Sequence, residues 1–424
     1  MRIAVIGLGH IGLPLAVQYA GRGHQVVGCD PAERIVEAIN AGRSPHDDEP
    51  TLVERVPELV RSGHLRATRD DAEGARGAEA VVVIVPVAVD ERREIDFGPI
   101  DAATRDIARD LQPGTLVIYE TTLPVGTTRD RFGPMLEAGS GLTLDRDLFL
   151  AFSPERVLVG RVLLDLRRYP KIVGGTSPES TRRAVEFYRS VLDPGTEVLA
   201  VATAETAEMT KLAETTYRDV NIALANEYAR YAAKRGIDVT EVIGAANSQP
   251  FSHIHAPGVG VGGHCIPVYP HFLFNGEPDL RLPPLARAVN EEMAAFAVAL
   301  LRDRLGSLAG VGVLVLGIAY RADVREDSFS SAFRLRDELA AAGAVVHGHD
   351  PYFDAEHLAA AGFVPYDLAA PTAVRAAIVQ APHAAYLSLD LRTIPGLELL
   401  VDGRNALDRG AVEAAGVTYL GIGR

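Results

Sequence analysis

The chain has 424 residues, a length that predicts two or three domains at roughly 150 residues each. Its 42 basic and 56 acidic residues give a formal charge of −14, which argues against a nucleic-acid binder, since such proteins present a basic face to phosphates. Two cysteines are too few for a disulfide scaffold or a cysteine-rich zinc site, and we expect no metal. The sequence opens without a cleavable signal pattern, and its longest apolar run, 80–89, is interrupted by Pro86. We therefore expect a cytoplasmic protein with no membrane span.

The first 200 residues alternate short apolar, β-branched runs with stretches of helical spacing. The runs begin at residues 3, 25, 81, 116 and 148 and have the continuous apolar character of buried parallel strands. The stretches between them are rich in Ala, Glu and Arg. This alternation predicts a doubly wound α/β domain of the Rossmann type over 1–200.

The middle of the chain has a different pattern. Residues 206–235 contain neither proline nor glycine, which predicts one helix of roughly 30 residues, far longer than the usual 11 or 12. Residues 283–305 predict a second long helix, so we expect 201–304 to form a helical domain. Because the first helix needs a partner for more than one apolar face, we also expect a twofold homodimer. The strand–helix alternation returns after 305 and predicts a second Rossmann-like domain over 305–424.

A glycine-rich turn follows the first predicted strand and opens a helix. It reads Gly-Leu-Gly-His-Ile-Gly over 7–12. In such turns the first glycine permits the tight bend, the second lets a pyrophosphate approach the backbone, and the third allows close helix–strand packing. The next predicted strand ends at Asp30, where a carboxylate accepts hydrogen bonds from ribose hydroxyls and repels a 2′-phosphate. This order favours NAD over NADP, although Arg34, one turn later, is a reason for doubt.

The second candidate site surrounds Cys265, in the sequence Val-Gly-Val-Gly-Gly-His-Cys-Ile-Pro over 259–267. A thiol after clustered glycines can be approached closely by a substrate, and neighbouring backbone N–H groups can stabilise a thiolate or an oxyanion. This context favours a functional thiol over the buried structural role that is usual for cysteine. Cys29, inside a predicted strand, is expected to be a small core residue.

Lysine is rare in this chain, which has Lys171, Lys211 and Lys234 against 39 arginines. Where arginine supplies almost every positive charge, a retained lysine points to a site that needs a compact, deprotonatable ammonium. For Lys211, near the start of the long helix, this rarity makes a functional role as well supported as a solvated one. Lys234, near the helix end, is expected to be solvated.

Two polar loops follow predicted strands, at the sheet edge where open α/β domains bind ligands. One begins Glu-Thr-Thr at 120–122, and the other reads Ser-Pro-Glu-Arg over 153–156. A carboxylate just past a strand can act as a general base if it is partly desolvated. Taken alone, Glu155 is more often the N-terminal acid of a helix, stabilised by the helix dipole.

In order, and over essentially the whole chain, these segments resemble the nucleotide-sugar 6-dehydrogenases, the family of UDP-glucose, GDP-mannose and UDP-N-acetylhexosamine dehydrogenases. The resemblance rests on the glycine turn, 120–122, 153–156, the Lys211 helix, 262–267 and the Leu-Gly-Ile-Ala-Tyr-Arg sequence at 316–321. The cysteine segment and 217–227 look most like the N-acetylhexosamine branch. The resemblance implies a four-electron oxidation of the C6 alcohol of a UDP-sugar to the uronic acid, reducing two NAD.

The resemblance also implies roles for particular residues. Cys265 would attack the C6 aldehyde and carry a thiohemiacetal and then a thioester. Lys211 would stabilise negative charge on the C6 oxygen, and Glu155, with Thr122, would position or deprotonate the hydrolytic water. NAD would be held by Gly7, Gly9, His10, Ile11, Gly12, Asp30, Arg34, Pro86 and Thr122. The UDP-sugar would be held by Glu155, Arg156, Lys211, Thr215, Tyr217, Arg218, Gly262, Gly263, Tyr269 and Arg321.

Several departures from the family pattern surround the reacting carbon and the sugar. Tyr269 stands where the family commonly has an aspartate, and its reference pKa is about 10 rather than about 4. Thr215 replaces the family's asparagine four residues after the lysine. Residues 85–88 read Val-Pro-Val-Ala where many relatives read Val-Pro-Thr-Pro. The segment after Arg321 lacks the family's Arg-x-Ser-Pro ending.

These departures leave two alternatives open. The first is a two-electron NAD-dependent dehydrogenase of a small hydroxy acid or an atypical nucleotide sugar. The β-hydroxyacid dehydrogenases also join a Rossmann domain to a long lysine-bearing helix, but they need neither the cysteine nor a C-terminal α/β domain. The second is a catalytically silent protein that binds NAD or a UDP-sugar. The sequence does not specify the sugar, or whether UDP or GDP is bound.

Overall fold

The computed structural model describes residues 1–46, 49–90, 93–157 and 160–424. The chain divides into two compact units, Met1–Glu214 and Thr215–Arg424. The boundary falls inside one long helix, which runs over Ala204–Arg235. Each unit is built around a Rossmann-type α/β sheet, so the expected α/β class is confirmed. The division into domains at 1–200, 201–304 and 305–424 stays a prediction.

The sheet of the first unit is largely parallel. Its strands are β1 (Arg2–Ile6), β2 (Gln25–Cys29), β3 (Leu65–Thr68), β4 (Ala80–Val83), β5 (Ala88–Val89), β6 (Ile95–Asp96), β7 (Leu116–Tyr119), β8 (Phe149–Phe152), β9 (Lys171–Gly175) and β10 (Val198–Ala200). Within the described residues, all but β5 and β6 form one sheet, in the order β10-β9-β8-β7-β4-β1-β2-β3. β9 pairs antiparallel with β8, and β10 pairs parallel with β9. The last two strands therefore reverse direction, unlike the parallel strands expected before them.

The helices of the first unit connect these strands. They are α1 (Gly12–Gly21), α2 (Glu33–Asn40), α3 (Pro50–Arg61), α4 (Asp71–Ala75), α5 (Gly98–Ala108), α6 (Gly133–Ser140), α7 (Val162–Arg168), α8 (Pro178–Val191) and the start of α9 (Ala204–Arg235), with a π-helical turn at Thr127–Phe132. Local sequence sets their ends. The Ser177 hydroxyl accepts a hydrogen bond from the Ser180 N–H at the start of α8. α9 ends before Gly236, whose φ of +66° is a helix-stopping conformation that favours glycine.

The second unit holds a fully parallel six-stranded sheet. Its strands are β11 (Gly312–Leu316), β12 (Val345–His349), β13 (Val364–Pro365), β14 (Ala376–Val379), β15 (Leu399–Asp402) and β16 (Thr418–Gly421), in the order β13-β12-β11-β14-β15-β16. Side chains 313 and 315 lie in one apolar cluster, and 314 and 316 lie in another. Because successive side chains of a strand point to opposite faces, both faces of this sheet are covered.

The remaining helices are α10 (Val239–Ala246), α11 (Tyr269–Phe274), α12 (Leu282–Glu291), α13 (Met293–Leu305), α14 (Ser331–Ala341), α15 (Ala355–Ala360), α16 (Ala384–Leu387) and α17 (Arg409–Ala414), with a 3₁₀ turn at Leu391–Thr393. The expectation of one continuous helix over 283–305 is wrong, because α12 and α13 meet at Glu292. The Glu292 backbone has ψ of −14°, away from the α-helical value of about −42°. This local departure divides the segment into two helices.

Candidate active site

The glycine turn between β1 and α1 has the geometry that its sequence requires. Gly7 has φ of +94°, and a Cβ there would lie 2.8 Å from the Ile84 carbonyl oxygen. A Cβ on Gly12 would lie 1.8 Å from the Gly7 oxygen, so the helix packs too closely on the turn for any other residue. Nothing described lies within 4 Å of a Cβ built on Gly9. The turn is therefore tightly packed at Gly7 and Gly12 and open at Gly9. This arrangement fits a pyrophosphate bound over the start of α1.

The Asp30 carboxylate at the end of β2 holds this turn in place. It accepts hydrogen bonds from the Leu8 N–H at 3.0 Å and the Ala32 N–H at 2.9 Å. The His10 ring stacks on that of His46, with centroids 4.4 Å apart. Ile11 is half-buried, whereas Arg34 and Pro86 are exposed. The predicted NAD-binding residues of 7–12 and Asp30 thus belong to one continuous structure.

Glu120 follows β7, Glu155 follows β8 and Lys171 begins β9. The side chains of these three residues form a buried charge cluster. The Lys171 ammonium lies 2.7 Å from Glu120 Oε2 and 2.9 Å from Glu155 Oε2. Glu120 Oε1 accepts hydrogen bonds from the hydroxyls of Tyr188 at 2.7 Å and Tyr19 at 3.3 Å. Glu155 Oε1 accepts the Arg156 N–H at 2.6 Å and the Val157 N–H at 3.0 Å. Glu155 lies in a loop, so its reading as the N-terminal acid of a helix is wrong.

The pKa values of the two carboxyl groups in this cluster are shifted in opposite directions. Burial raises the pKa of Glu120 above its ordinary value, and the Lys171 ammonium only partly opposes this. Burial also acts on Glu155, but the Lys171 charge and the hydrogen bonds of its carboxylate together lower its pKa. Burial lowers the pKa of Lys171, yet the two carboxylates outweigh it and leave that pKa raised. The site therefore holds Glu155 and Lys171 ionised.

Lys211, on the second turn of α9, reaches the same loop. Its Nζ donates a 2.7 Å hydrogen bond to the backbone carbonyl of Glu155. Arg156 pairs with Glu214, one turn further along α9. Thr122, in the loop after β7, is buried. Of the predicted catalytic residues, Lys211 and Glu155 are thus brought into direct contact.

Glu208 fixes the loop after β7 onto α9, one turn before Lys211. Its side chain is fully buried and accepts hydrogen bonds from the Gly126 N–H at 2.6 Å, the Thr128 N–H at 2.9 Å and the Thr128 hydroxyl at 2.6 Å. Burial raises its pKa to about 7. Sequence reasoning missed this residue, and nothing in its helical context marked it out.

In the second unit, the glycines before Cys265 are packed against the C-terminal α/β fold. A Cβ on Gly262 would lie 2.9 Å from Tyr320 Cβ, and one on Gly263, where φ is +90°, would lie 2.9 Å from the Tyr320 ring. The guanidinium of Arg404 binds the Gly260 carbonyl at 2.9 Å. These glycines are needed for close packing, which fixes the path of the loop.

Cys265 itself is exposed at the end of this loop. Its backbone carbonyl accepts hydrogen bonds from the Val268 N–H at 3.3 Å and the Tyr269 N–H at 2.9 Å, where α11 begins. Tyr269 is half-buried. Cys29, by contrast, is buried within β2, as expected of a core residue. The two cysteines therefore differ in access to solvent, which is one requirement for a nucleophile.

A chain of buried hydrogen bonds with side chains of α9 and α12 also holds the loop that leads to Cys265. The Gly258 N–H donates to Asn226 Oδ1 at 2.8 Å, and Asn226 Nδ2 donates to Asn290 Oδ1 at 2.8 Å. Asn290 Nδ2 donates to Asp219 Oδ1 at 2.8 Å, and the Asp219 carboxylate also accepts hydrogen bonds from Nε and Nη2 of Arg287. α9 and α12 are thereby tied to the loop, through residues that sequence reasoning did not select.

The other predicted substrate-binding residues of this unit are spread over two elements. Thr215 is buried in α9, whereas Tyr217 and Arg218 are exposed on it. The Tyr217 hydroxyl accepts a hydrogen bond from Asn221 Nδ2 at 3.0 Å. Arg321 is exposed after β11, and its Nε donates to the Tyr320 hydroxyl at 2.9 Å. No described hydrogen bond or ion pair joins Arg321 to the α9 residues.

The turn after β11 repeats the turn after β1. Gly317 has φ of +90°, and Asp350, after β12, accepts the N–H groups of Ile318 at 2.7 Å and Ala319 at 2.9 Å. Fully buried His383 accepts the Asp323 N–H at Nδ1, so its Nε2 carries the proton and donates to Asp350 at 3.0 Å. The second unit thus contains the same anchored turn as a dinucleotide domain.

No described helix is long and apolar enough to cross a membrane. In the part of the chain that the structure describes, no group of three or more His, Cys, Asp or Glu side chains is placed to hold a metal ion.

Models of three domains of one family match the chain in order. They are the NAD binding domain of the UDP-glucose/GDP-mannose dehydrogenase family at residues 1–192, its central domain at 205–292 and its UDP binding domain at 314–409. Together they cover most of the chain.

Whole-length relatives carry related names. The chain is 36% identical to a UDP-N-acetyl-D-mannosamine dehydrogenase of Pyrococcus horikoshii, over 100% of this chain and 99% of that one. It is 33% identical to the enzyme of the same name from Methanocaldococcus jannaschii, over 100% and 97%. The solved structure of a UDP-D-ManNAc dehydrogenase from P. horikoshii has a TM-score of 0.90, 33% identity and coverage of 100% and 99%. An NDP-N-acetyl-D-galactosaminuronic acid dehydrogenase of Methanosarcina mazei has a TM-score of 0.87, 33% identity and coverage of 100% and 95%.

These matches confirm the family resemblance and the use of NAD that the sequence predicted. They also agree with the anchored glycine turns of both α/β sheets. The chain belongs to the UDP-glucose/GDP-mannose dehydrogenase family and is an NAD-dependent oxidoreductase of nucleotide sugars.

Proposed function

We propose that the protein oxidises the C6 alcohol of a UDP-N-acetylhexosamine to the UDP-uronic acid, with UDP-N-acetylmannosamine as the first substrate to test. The observation that carries this proposal is an exposed thiol, Cys265, on a loop that packed glycines hold against the C-terminal fold. A two-electron alcohol dehydrogenase has no need of such a thiol. The names of the relatives support the choice of sugar.

The first unit has the features needed to hold NAD. The open space over Gly9, the backbone N–H groups at the start of α1 and the buried Asp30 carboxylate fit a pyrophosphate and a ribose. When bound, NAD accepts the hydride that leaves C6. Asp30 accepts hydrogen bonds from the ribose hydroxyls and disfavours a 2′-phosphate by charge repulsion.

The chain's own residues carry the remaining chemistry. In the first oxidation, Lys211 stabilises negative charge on the C6 oxygen, which can lower a barrier by several kcal/mol. The Cys265 sulfur then bonds to the aldehyde carbon and the aldehyde oxygen gains a proton, giving a thiohemiacetal. The second oxidation gives a thioester, and water attacks its carbonyl carbon. The C–S bond breaks, the thiol is restored and the acid leaves, so two NAD and one water are consumed per sugar.

Glu155 is the base for that water in this proposal, assisted by Thr122. Its carboxylate is ionised by its surroundings and retains 12% exposure, so it combines charge with access. Arg156, Thr215, Tyr217, Arg218, Gly262, Gly263, Tyr269 and Arg321 remain proposed contacts of the nucleotide sugar. Tyr269 and Thr215 replace an aspartate and an asparagine of the family pattern, which keeps a two-electron oxidation and a silent binder as the alternatives.

A homodimer belongs to the same proposal. Tyr217, Leu224, Tyr228 and Tyr231 follow one another at helical spacing along α9 and are between 41% and 60% exposed. Leu282 and Leu285 of α12 are also large, apolar and exposed. A stripe of this kind is typical of an interface between copies. Light scattering should give twice the chain mass, and Leu224→Arg should shift it toward the monomer.

The decisive experiment combines NADH yield with product mass. UDP-N-acetylmannosamine, UDP-N-acetylglucosamine, UDP-N-acetylgalactosamine, UDP-glucose and GDP-mannose are each incubated with excess NAD. We expect two NADH per sugar and a product that has gained one oxygen and lost two hydrogens. Simple loss of two hydrogens with one NADH would establish the two-electron alternative. NAD binding by calorimetry without NADH formation from any sugar would establish the silent binder.

A further inference from the structure

The cluster of Glu120, Glu155 and Lys171 contains more acid than base. Its members come from the ends of β7 and β8 and the start of β9, and the side chains of Glu120 and Lys171 are 0% and 5% exposed. Two carboxylates against one ammonium would leave an uncompensated negative charge in a largely buried site, which is unfavourable. A proton on one carboxyl group removes that charge.

The hydrogen bonds decide which carboxyl group holds this proton. The Lys171 ammonium and two backbone N–H groups can only donate, and an ionised Glu155 carboxylate accepts all three. Glu120 also lies within hydrogen-bonding reach of the Glu155 carboxyl group. A hydrogen bond between two carboxyl groups needs one proton, and Glu120 donates it because the Glu155 carboxylate already accepts from three donors. Glu120 is also the more deeply buried of the two. The proton therefore belongs on Glu120.

We propose that Lys171 and Glu120 are positioning residues for Glu155: the ammonium keeps the Glu155 carboxylate ionised and oriented, and Glu120 holds the proton that a second buried carboxyl group requires. This inference rests on the proposed function, in which Glu155 prepares the water that releases the acid. It gives a role to Lys171, to which the sequence alone assigned none.

The remaining groups that face the cluster agree with this assignment. Tyr19 and Tyr188 stay protonated, because burial and then the Glu120 charge raise the pKa of each hydroxyl. The Lys211 ammonium donates to the backbone carbonyl of Glu155. The Lys171 ammonium forms an ion pair with the Glu155 carboxylate. Burial acts to raise the pKa of Glu155, and the Lys171 charge is the largest of the effects that lower it.

The first test needs no substrate. Infrared difference spectra of the resting protein are recorded during a pH titration. They should contain the band of a protonated carboxyl group, and this band should persist to pH values above the usual pKa of a glutamate. Glu120→Gln should remove that component. Glu208→Gln should remove a different one, which separates the contribution of Glu208 from that of Glu120. A spectrum in which Glu120→Gln changes nothing would overturn the assignment of the proton.

The second test measures the pH dependence of NADH formation with the nucleotide sugar. Lys171→Met should move the acid limb of the kcat–pH profile to higher pH by about 1–3 units. The reason is that the pKa of the Glu155 carboxyl group rises by about that amount when the adjacent cation is removed. Lys234→Met makes the same substitution at an exposed lysine and should leave the limb in place. A purely structural role for Lys171 would lower activity at every pH without moving the limb, and that result would overturn the inference.

The two tests also separate this inference from the proposed function. If the infrared result is as expected but no sugar is oxidised, the charge arrangement stands and the proposed function fails. If the uronic acid forms and the limb of Lys171→Met does not move, the function stands and this inference fails. Should Lys171→Met not fold, the isosteric Glu120→Gln still tests the role of Glu120, because it leaves the Glu155–Lys171 pair intact: the acid limb should stay in place, and a shifted limb would overturn that role.

Discussion

Lys211 and Lys171 bind opposite ends of the same residue, Glu155. The Lys211 ammonium donates to the Glu155 backbone carbonyl at 2.7 Å, and the Lys171 ammonium lies 2.9 Å from its carboxylate. Two of the chain's three lysines thus converge on one loop between β8 and α7. A compact ammonium fits such a buried position better than the planar fork of an arginine, which explains why lysine is retained there.

Removal of the Lys211 charge should slow the chemistry without preventing cofactor binding. Lys211→Met should lower kcat by about 10²–10³-fold, the usual loss when one group that stabilises an oxyanion is removed. Its Kd for NAD, measured by calorimetry, should stay near that of the unmodified protein. Lys234→Met, on the same helix, is the matched control and should keep full activity. Equal losses in both variants would contradict a role for Lys211 in catalysis.

Replacement of the exposed thiol should halve the yield of NADH. Cys265→Ala cannot form the thiohemiacetal, so we expect one NADH per sugar and release of the aldehyde, detected by trapping with a hydrazine. Cys29→Ala is the matched control, because it removes a buried thiol and should retain two NADH per sugar at somewhat reduced stability. If Cys265→Ala still yields the acid with two NADH, Cys265 is not the nucleophile.

Replacement of Gly263 by alanine should destabilise the protein for two separable reasons, the backbone conformation and a clash with the Tyr320 ring. Gly263→Ala places a Cβ at φ of +90° and 2.9 Å from the Tyr320 ring, whereas Gly276→Ala has a similar φ of +84° in open space. The backbone cost is about 1–2 kcal/mol in each. Denaturant unfolding should therefore show a larger loss for Gly263→Ala, together with altered alkylation of Cys265. Equal losses would mean that the Tyr320 ring moves aside.

Glu208 should make stability depend on pH in a defined direction. Its pKa is raised to about 7 in the folded protein, against about 4.3 in an unfolded chain. Between these values the folded state binds one more proton, so this residue's contribution falls as pH rises, by about 1.4 kcal/mol per pH unit. Glu208→Gln cannot ionise, and its unfolding free energy should lack this decline. The two proteins are compared by denaturant titration from pH 5 to pH 7, and parallel curves would contradict the assignment.

Local sequence was sufficient for the elements whose signals lie within a few residues. The glycine turn at 7–12, Asp30 and helix α9 could all be predicted, because turn geometry and helix length depend on short-range sterics and hydrogen bonding. The helix over 283–305 was predicted as one piece. The division at Glu292 involves no proline or glycine, and no local signal marks it.

The candidate site could be predicted only in part, for a different reason. The order of motifs pointed to Cys265, Lys211 and Glu155 and to the family. It did not show that Glu155 lies in a loop, or that the Lys171 ammonium pairs with the carboxyl groups of both Glu120 and Glu155. Lysine scarcity was the one signal that could have drawn attention to Lys171.

The sequence by itself determined the α/β class, the NAD turn, the glycine-flanked cysteine motif and the family, since each depends on neighbouring residues or on their order along the chain. Only the tertiary structure decided which charges are buried together. Glu120, Glu155 and Lys171 are far apart in sequence and become a unit when adjacent strand ends meet at the edge of one sheet. Their protonation follows from the loss of water around them, which is a property of the packed fold rather than of any segment.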